Sequence, residues 1–399
     1  MNFRKKKTKS GERWEAIEDI GVNPVTGKRK QVTRLGKTRK EAKERLEKYL
    51  RSIEEYGVDE KQALRITFEE VAAEWLKVYE STGRKKSSVY IRTKEIRLLN
   101  KHMAKKPIGS ITHMFYQNVI NELSKGLVRT TVQGVNNCAG MIFKFAKRNK
   151  LIKDLPNEDV VIPKKRMSVE EIKKDNIAEK YLEHHELDDF FDKLNYYGLE
   201  LDRERFYLLA FTGMRSGELC ALQKQDLDFK NNTIDINKTI YNEANNMREY
   251  ELTPPKTVGS IRVIDVEKPI MDMLKRLVRK NDEHKMEYRT LMDDYHDKDF
   301  VFQRKNGYPY SPAYLLKRMN RIVDRTEIEK KATPHIFRHT HISMMAEAGI
   351  DLPTIMKRVG HEDVDTTMKI YTHVTEKMKK DAAVKIQNQY GHILEKINF

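Results

Sequence analysis

Cysteine is nearly absent: 399 residues contain only Cys138 and Cys220, far apart in the chain. No disulfide framework and no cysteine-rich zinc site can be built from such a pair, and a reducing compartment fits. Long apolar runs are missing as well. None approaches the ~18 residues that a membrane span requires, and the mean hydropathy is −0.74. The chain opens Met1-Asn2-Phe3-Arg4-Lys5-Lys6-Lys7, which is basic but lacks the apolar stretch of a signal peptide. The cytoplasm is the expected place of action. No internal repeat and no low-complexity tract is visible, which argues against a solenoid or a disordered tail protein.

Positive charge is abundant. There are 77 Lys and Arg against 60 Asp and Glu, a net charge of +17, and the pI is about 9.4. A polyanionic partner, DNA or RNA, is the natural counterpart of such a balance. The charge is also uneven. Residues 1–50 hold 16 Lys and Arg and seven Asp and Glu, an excess of nine and more than half of the total. That asymmetry points to a basic nucleic-acid-binding module at the N-terminus.

The length suits two or three domains, and three modules are read along it. In the first, residues 1–64, the weak alternation from Arg13 to Ile20 predicts a strand. Asn23-Pro24-Val25-Thr26-Gly27 carries turn chemistry, and Arg29 to Leu35 predicts a second strand ending at Gly36. Thr38 with Glu41 three residues on is a capping-box pattern that starts a helix running to about Glu55. Arg29, Lys30 and Arg34 on the second strand are candidate DNA contacts. The second module, 65–165, is helical. Thr67-Phe68-Glu69-Glu70 is another capping box, and Val71, Trp75, Leu76 and Tyr79 follow on one face. Helices are expected over 88–102, 112–123 and 130–149, with Trp75 and Phe143 in the core. Lys85, Lys86, Arg92, Lys94, Arg129 and Lys147 are candidate phosphate contacts. A charged linker spans 166–178, and the third module is 179–399. It reads as mainly helical with a strand-rich insert at 231–266, where Arg262 and Asp265 are expected on the polar face of a strand.

This third module holds separated residues suited to one chemistry: Arg215 in Thr212-Gly213-Met214-Arg215-Ser216-Gly217-Glu218-Leu219, Lys256 in Pro254-Pro255-Lys256-Thr257, the run His335-Ile336-Phe337-Arg338-His339, then Gly360-His361, then Tyr371. Exchanging phosphodiester bonds without a cofactor needs a nucleophile, cations around the non-bridging oxygens and an acid for the leaving oxygen. Arginine grips phosphate bidentately. Glu218, one helical turn from Arg215, is placed to orient it. Lys256 in a turn between strands can deliver a proton. His335 and His339 have the i, i+4 spacing of a helical zinc pair. They lack the accompanying Glu, and Arg338 would repel a dication, so no metal is assigned. His339 reads as a packed or supporting histidine.

Taken together these segments resemble the tyrosine recombinases of phage and integrative-element integrase type, along essentially the whole chain. The interval from Gly360-His361 to Tyr371 is one residue longer than in many members. The resemblance implies a mainly α fold with small β-sheets: an N-terminal β-sheet-plus-helix arm-binding module at 1–64, a helical SAM-like core-binding domain at 65–165, and an α+β catalytic domain with a C-terminal tail at 179–399. It implies that Arg215 and Arg338 bind phosphate, Lys256 is the general acid, His335 and His361 donate hydrogen bonds, Glu218 supports them, and Tyr371 is the nucleophile. The implied activity is site-specific integration and excision of a mobile element through a 3′-phosphotyrosine and a Holliday junction, with no cofactor. The implied partners are double-stranded DNA of core and arm types, three further copies of the chain in a homotetramer, an excisionase and a host DNA-bending protein, in a bacterial cytoplasm and nucleoid. The tail residues Met378, Ala382, Ala383, Ile386, Ile393 and Ile397 dock in cis or on a neighbouring copy. Two alternatives remain open at this point, a type IB topoisomerase-like enzyme and a non-catalytic DNA-binding protein.

Overall fold

The computed structural model of the chain describes residues 1–8, 11–22, 29–56, 65–164, 177–242, 246–255, 258–360, 365, 367–379 and 389. The predicted turn at 23–27, most of the 166–178 linker, Lys256, His361 and the tail positions Ala382, Ala383, Ile386, Ile393 and Ile397 lie outside them. The chain divides into two compact units, Met1–Arg166 and Met167–Phe399. The fold is mainly α with small antiparallel sheets. Among the described residues no helix is long and apolar enough to cross a membrane.

The first unit contains two hydrophobic cores. The smaller lies under a three-stranded antiparallel sheet, β1 (Asn2–Thr8), β2 (Gly11–Val22) and β3 (Arg29–Gly36), in that order. Helix α1 (Arg39–Tyr56) covers one face, and Ala16, Val32, Ala42, Leu46 and Tyr49 are buried between. Its start is capped as the sequence predicts: the Glu41 amide donates to Thr38 Oγ1 at 3.1 Å. Strand β1 is absent from the sequence reading, because a run of lysines reads as solvated surface. It becomes a strand by pairing. Arg4 lies opposite Glu15, and Arg4 and Lys6 reach the Glu15 carboxylate at 2.6 and 2.9 Å. Burial pushes the Glu15 carboxyl up, but the two cations outweigh it and hold the pKa below the usual range.

The larger core is helical: α2 (Phe68–Ser81), α3 (Lys86–Met103), α4 (His113–Gly126) and α5 (Arg129–Arg148). These match the expected helices to within a few residues. Phe68, Trp75, Leu99, Tyr116 and Phe143 are buried at their contact, and Phe143 meets the Tyr116 ring edge-on at 5.3 Å. The Thr67 box is complete: Thr67 Oγ1 accepts from the Glu70 amide, and Glu70 Oε2 accepts from the Thr67 amide at 2.8 Å. Thr67→Ala is expected to cost about 1 kcal/mol, read as a lowered midpoint in urea unfolding. An unchanged midpoint would show that the cap adds nothing beyond the packing of Phe68.

The second unit begins with α6 (His184–Tyr197), α7 (Asp202–Thr212) and the short α8 (Ser216–Ala221). Strands β4 (Leu227–Asp228), β5 (Thr233–Ile236), β6 (Thr239–Tyr241), β7 (Glu251–Thr253) and β8 (Arg262–Asp265) follow. They form a three-stranded sheet, β4-β5-β8, and a separate ribbon, β6-β7. The segment bearing Lys256 therefore joins strands of different sheets. Then come α9 (Lys268–Tyr288), α10 (Pro312–Val323), α11 (Ile336–Glu347) and α12 (Leu352–Val359). Residues 367–379 form a last described helical stretch.

Two anchors set the frame of the site. Buried Asp202 at the start of α7 accepts from Arg318 of α10 at 2.6 Å. Phe337, in the first turn of α11, packs among Phe190 and Phe206 with ring centroids 5.1 and 5.8 Å away. Burial of Phe337 fixes the rotation of α11, and with it the directions of His335 and Arg338 on either side.

Candidate active site

Helix α7 ends at Gly213, whose φ is +62°, a conformation that glycine adopts without strain. The left-handed residue turns the chain sharply, so that Arg215 becomes the residue that caps α8 and Glu218 lies in its first turn. Glu218 is 3% exposed and is the hub of the site. It accepts from the Arg215 amide at 2.9 Å, from the Arg215 guanidinium at 2.8 Å and from Arg262 Nη2 at 2.9 Å. Burial alone would raise the Glu218 carboxyl. The bonds and charges of Arg262 and Arg215 outweigh it and hold the pKa below the ordinary carboxylate value. Arg215 keeps 36% of its side chain exposed, and a second nitrogen donates to the Gly360 carbonyl at 3.3 Å. That carbonyl immediately precedes His361.

Arg338 comes from α11 and is fully buried. It donates to the Gly213 carbonyl at 2.8 Å. Burial first, and then the neighbouring Arg215 charge, lowers its pKa. A guanidinium nevertheless stays charged in a protein. Among the described residues, Arg215, Arg262 and Arg338 thus gather about one buried carboxylate, Glu218, and such a group of cations suits an arriving anion. His335, the residue before α11, keeps an exposed face, while His339 is half-buried. Their rings meet edge to face with centroids 4.8 Å apart. Local burial and the cations nearby push both imidazoles below their ordinary pKa, so both are neutral at pH 7 and each can donate one N–H.

The structure therefore brings Arg215, Glu218, His335, Arg338 and His339 together. Tyr371 lies on the 367–379 helix, partly buried against a cluster that includes Ile342, Met345, Ile355, Ile370 and Val374. Those first two residues belong to α11, so the helix bearing Tyr371 packs on the helix bearing Arg338. Both cysteines are buried and free. Among the described residues no three His, Cys, Asp or Glu come together as a metal-binding group.

One expectation is corrected. Alternation places Arg262 on the polar face of its strand, yet it is 8% exposed and shares the inward face with Ile264, while Val263 points outward. The Glu218 carboxylate explains the inversion, since a buried guanidinium is tolerated when it is paired. Besides Glu218, Arg262 reaches the Ser260 and Arg358 carbonyls at 2.9 and 2.8 Å. No short-range pattern could have found this pairing across 44 residues.

The candidate DNA contacts divide. Lys85, Lys86, Arg129 and Lys147 are exposed. Arg92 is ion-paired to Glu95. Arg34 lays its guanidinium 3.5 Å from the centre of the Tyr49 ring of α1. Arg29 and Lys30 are in β3, with side chains outside the described residues.

Comparison with known proteins matches two family descriptions: "Phage integrase family" over residues 180–378, and "Phage integrase, N-terminal SAM-like domain" over 67–124. The integrase of Staphylococcus phage L54a is 34% identical over 335 residues, covering 81% of this chain and 93% of that one. In fold, the chain resembles the Tn1549 transposon integrase in complex with a circular intermediate DNA, with a TM-score of 0.60, 20% identity and coverage of 79% and 99%. It also resembles the lambda integrase tetramer bound to a Holliday junction, with a TM-score of 0.55, 14% identity and coverage of 89% and 94%. With a relative of that identity matched along nearly its whole length, and both family descriptions in the expected order, the chain belongs to the phage integrase family, the tyrosine recombinases that cut and rejoin DNA at specific sites.

Proposed function

We propose that this integrase works through Tyr371 as nucleophile, with Arg215 and Arg338 holding the scissile phosphate. The observation that carries the reading is the convergence of both arginines, from opposite ends of the unit's sequence, beside one buried carboxylate. The Tyr371 oxygen attacks phosphorus and the bond to the 5′ oxygen breaks. Lys256 supplies the proton to that oxygen. His335 and His361 donate hydrogen bonds to the non-bridging oxygens, where charge builds in the transition state. A 5′-hydroxyl from the partner duplex then attacks the phosphotyrosine and releases Tyr371. Each step exchanges one phosphodiester for another, so bond energy is conserved and no ATP is consumed.

Four copies on two sites, exchanging strands in two rounds through a Holliday junction, fit this chemistry and the lambda tetramer's fold. The reading further assigns residues 65–165 to the core sites and 1–64 to more distant arm sites. The exposed Lys85, Lys86, Arg129 and Lys147 are contacts of the first kind, and the open face of the β1–β3 sheet is a contact of the second. An excisionase and a host DNA-bending protein would set direction. The test is covalent trapping on nicked duplexes from the element's ends, read on denaturing gels. A protein–DNA adduct is expected. Tight binding with no adduct would favour a non-catalytic binder, and relaxation of any supercoiled plasmid without a site would favour a topoisomerase.

Removing residues 1–64 is expected to weaken arm-site binding and lower its salt dependence, since each lost phosphate contact removes ~0.9 from the slope of log K against log salt. Core-site adducts should persist. Their loss in a folded truncation would count against the division at residue 64.

A further inference from the structure

His341 is 4% exposed, two residues beyond His339 on α11, and has no part in the chemistry above. Its Nδ1 lies 3.0 Å from the Ala210 carbonyl, and its Nε2 lies 3.0 Å from Arg358 Nε. A carbonyl can only accept, so Nδ1 carries the proton. The guanidinium can only donate, so Nε2 is the bare nitrogen. The ring is neutral, as burial and the Arg358 charge also require. Arg358, in the last turn of α12, sends another nitrogen to the Phe211 carbonyl at 3.4 Å. Ala210 and Phe211 are in the last turn of α7, where carbonyls lack partners within the helix. His341 and Arg358 together therefore close the C-terminus of α7.

The position of that closure matters. Two residues past Phe211 is Gly213, which holds Arg338, and two further on is Arg215. The fit is tight, since a Cβ on Gly213 would come 2.9 Å from the His341 ring. At its other end, the Arg358 carbonyl accepts from Arg262, which holds Glu218, which holds Arg215. Two residues after Arg358, the Gly360 carbonyl accepts from Arg215 itself. One residue thus touches both routes by which Arg215 is held, and it opens the segment that leads to His361.

We propose that His341 and Arg358 are positioning residues for strand cleavage: through the α7 terminus and through Arg262 they set the placement of Arg215 and Arg338. Arg358 acts by where its three groups are fixed, and it makes no demand on the DNA. The inference rests on the phosphotyrosine reading.

The test uses the full-length protein, single-turnover adduct formation on a nicked core duplex, and core-duplex Kd by fluorescence anisotropy. Arg358→Met keeps the stem and the backbone carbonyl that Arg262 uses, and loses the side-chain bonds to His341 and Phe211. It is expected to slow cleavage on the order of 10²-fold, the scale of a small misplacement of reacting groups, with Kd changed less than about threefold. His341→Phe should do the same, and the double variant should be no slower than the worse single, because both break one network. His341→Gln should recover rate relative to His341→Phe, since its amide can both donate to Ala210 and accept from Arg358. A mere packing role predicts the reverse order, because Phe is the better apolar ring. Wild-type rates in Arg358→Met, or a loss of rate matched by loss of affinity, would overturn the proposal. Arg358→Met alone decides it if the His341 variants fail to fold. No adduct with wild-type protein would instead sink the phosphotyrosine reading itself, whereas adducts at equal rates in all variants would sink only this inference.

Discussion

Tyr371→Phe is expected to form no covalent DNA adduct and no recombinant product, a loss of more than about 10⁴-fold when a nucleophile is removed. Binding to a core duplex should stay within about twofold. The contrast follows from where the ring sits. Its carbon framework packs against the Ile342, Ile370 and Val374 cluster, and removing one oxygen leaves that contact intact. Parallel gels and anisotropy titrations on wild type and variant read both quantities. Strand exchange surviving in the variant would assign the nucleophile to another residue.

Glu218→Ala is expected to cost about 3–5 kcal/mol of stability, the scale for leaving one partner of a buried ion pair unpaired. Arg262 is the partner left behind. Cleavage should fall with it, since Arg215 loses two of its bonds to the carboxylate. Glu218→Gln keeps the shape and should cost less stability. The two variants also give a pH signature. The Glu218 carboxyl titrates lower in the folded protein than its unfolded value of about 4.3. Its contribution to stability is therefore complete above that value and lost as pH falls through the folded pKa. Wild type should lose melting temperature faster than Glu218→Gln as pH is lowered from about 5 toward 3. Identical acid slopes would mean that folding does not lower the Glu218 pKa.

Much of the fold was legible because its signals are local. The Thr67-Phe68-Glu69-Glu70 and Thr38-Arg39-Lys40-Glu41 patterns start helices by satisfying amides within three residues. Trp75 and Phe143 are core residues because each lies on the buried face of its own helix, α2 and α5. Strand β1 was not legible. Its Arg4 and Lys6 pair with Glu15 only after the chain has doubled back, and no window of Asn2–Thr8 contains that carboxylate. Arg262 was misread for the same reason: alternation assigns a guanidinium outward unless a buried acid awaits it, and Glu218 lies on another element.

The sequence by itself determined the family to which this protein belongs, and with it that the protein cuts and rejoins DNA. Arg215, Lys256, the His335–His339 run, Gly360-His361 and Tyr371 are residue types whose reactivity is intrinsic, and their motifs are short. Tertiary structure alone decided how two of those residues are held. Arg338 meets the Gly213 carbonyl across 125 residues, and Arg215 meets the Gly360 carbonyl across 145. Hydrogen bonds of that separation form only when packing, here of Phe337 among Phe190 and Phe206, has already brought the helices together. A buried charge then takes whichever partner the packing leaves within reach.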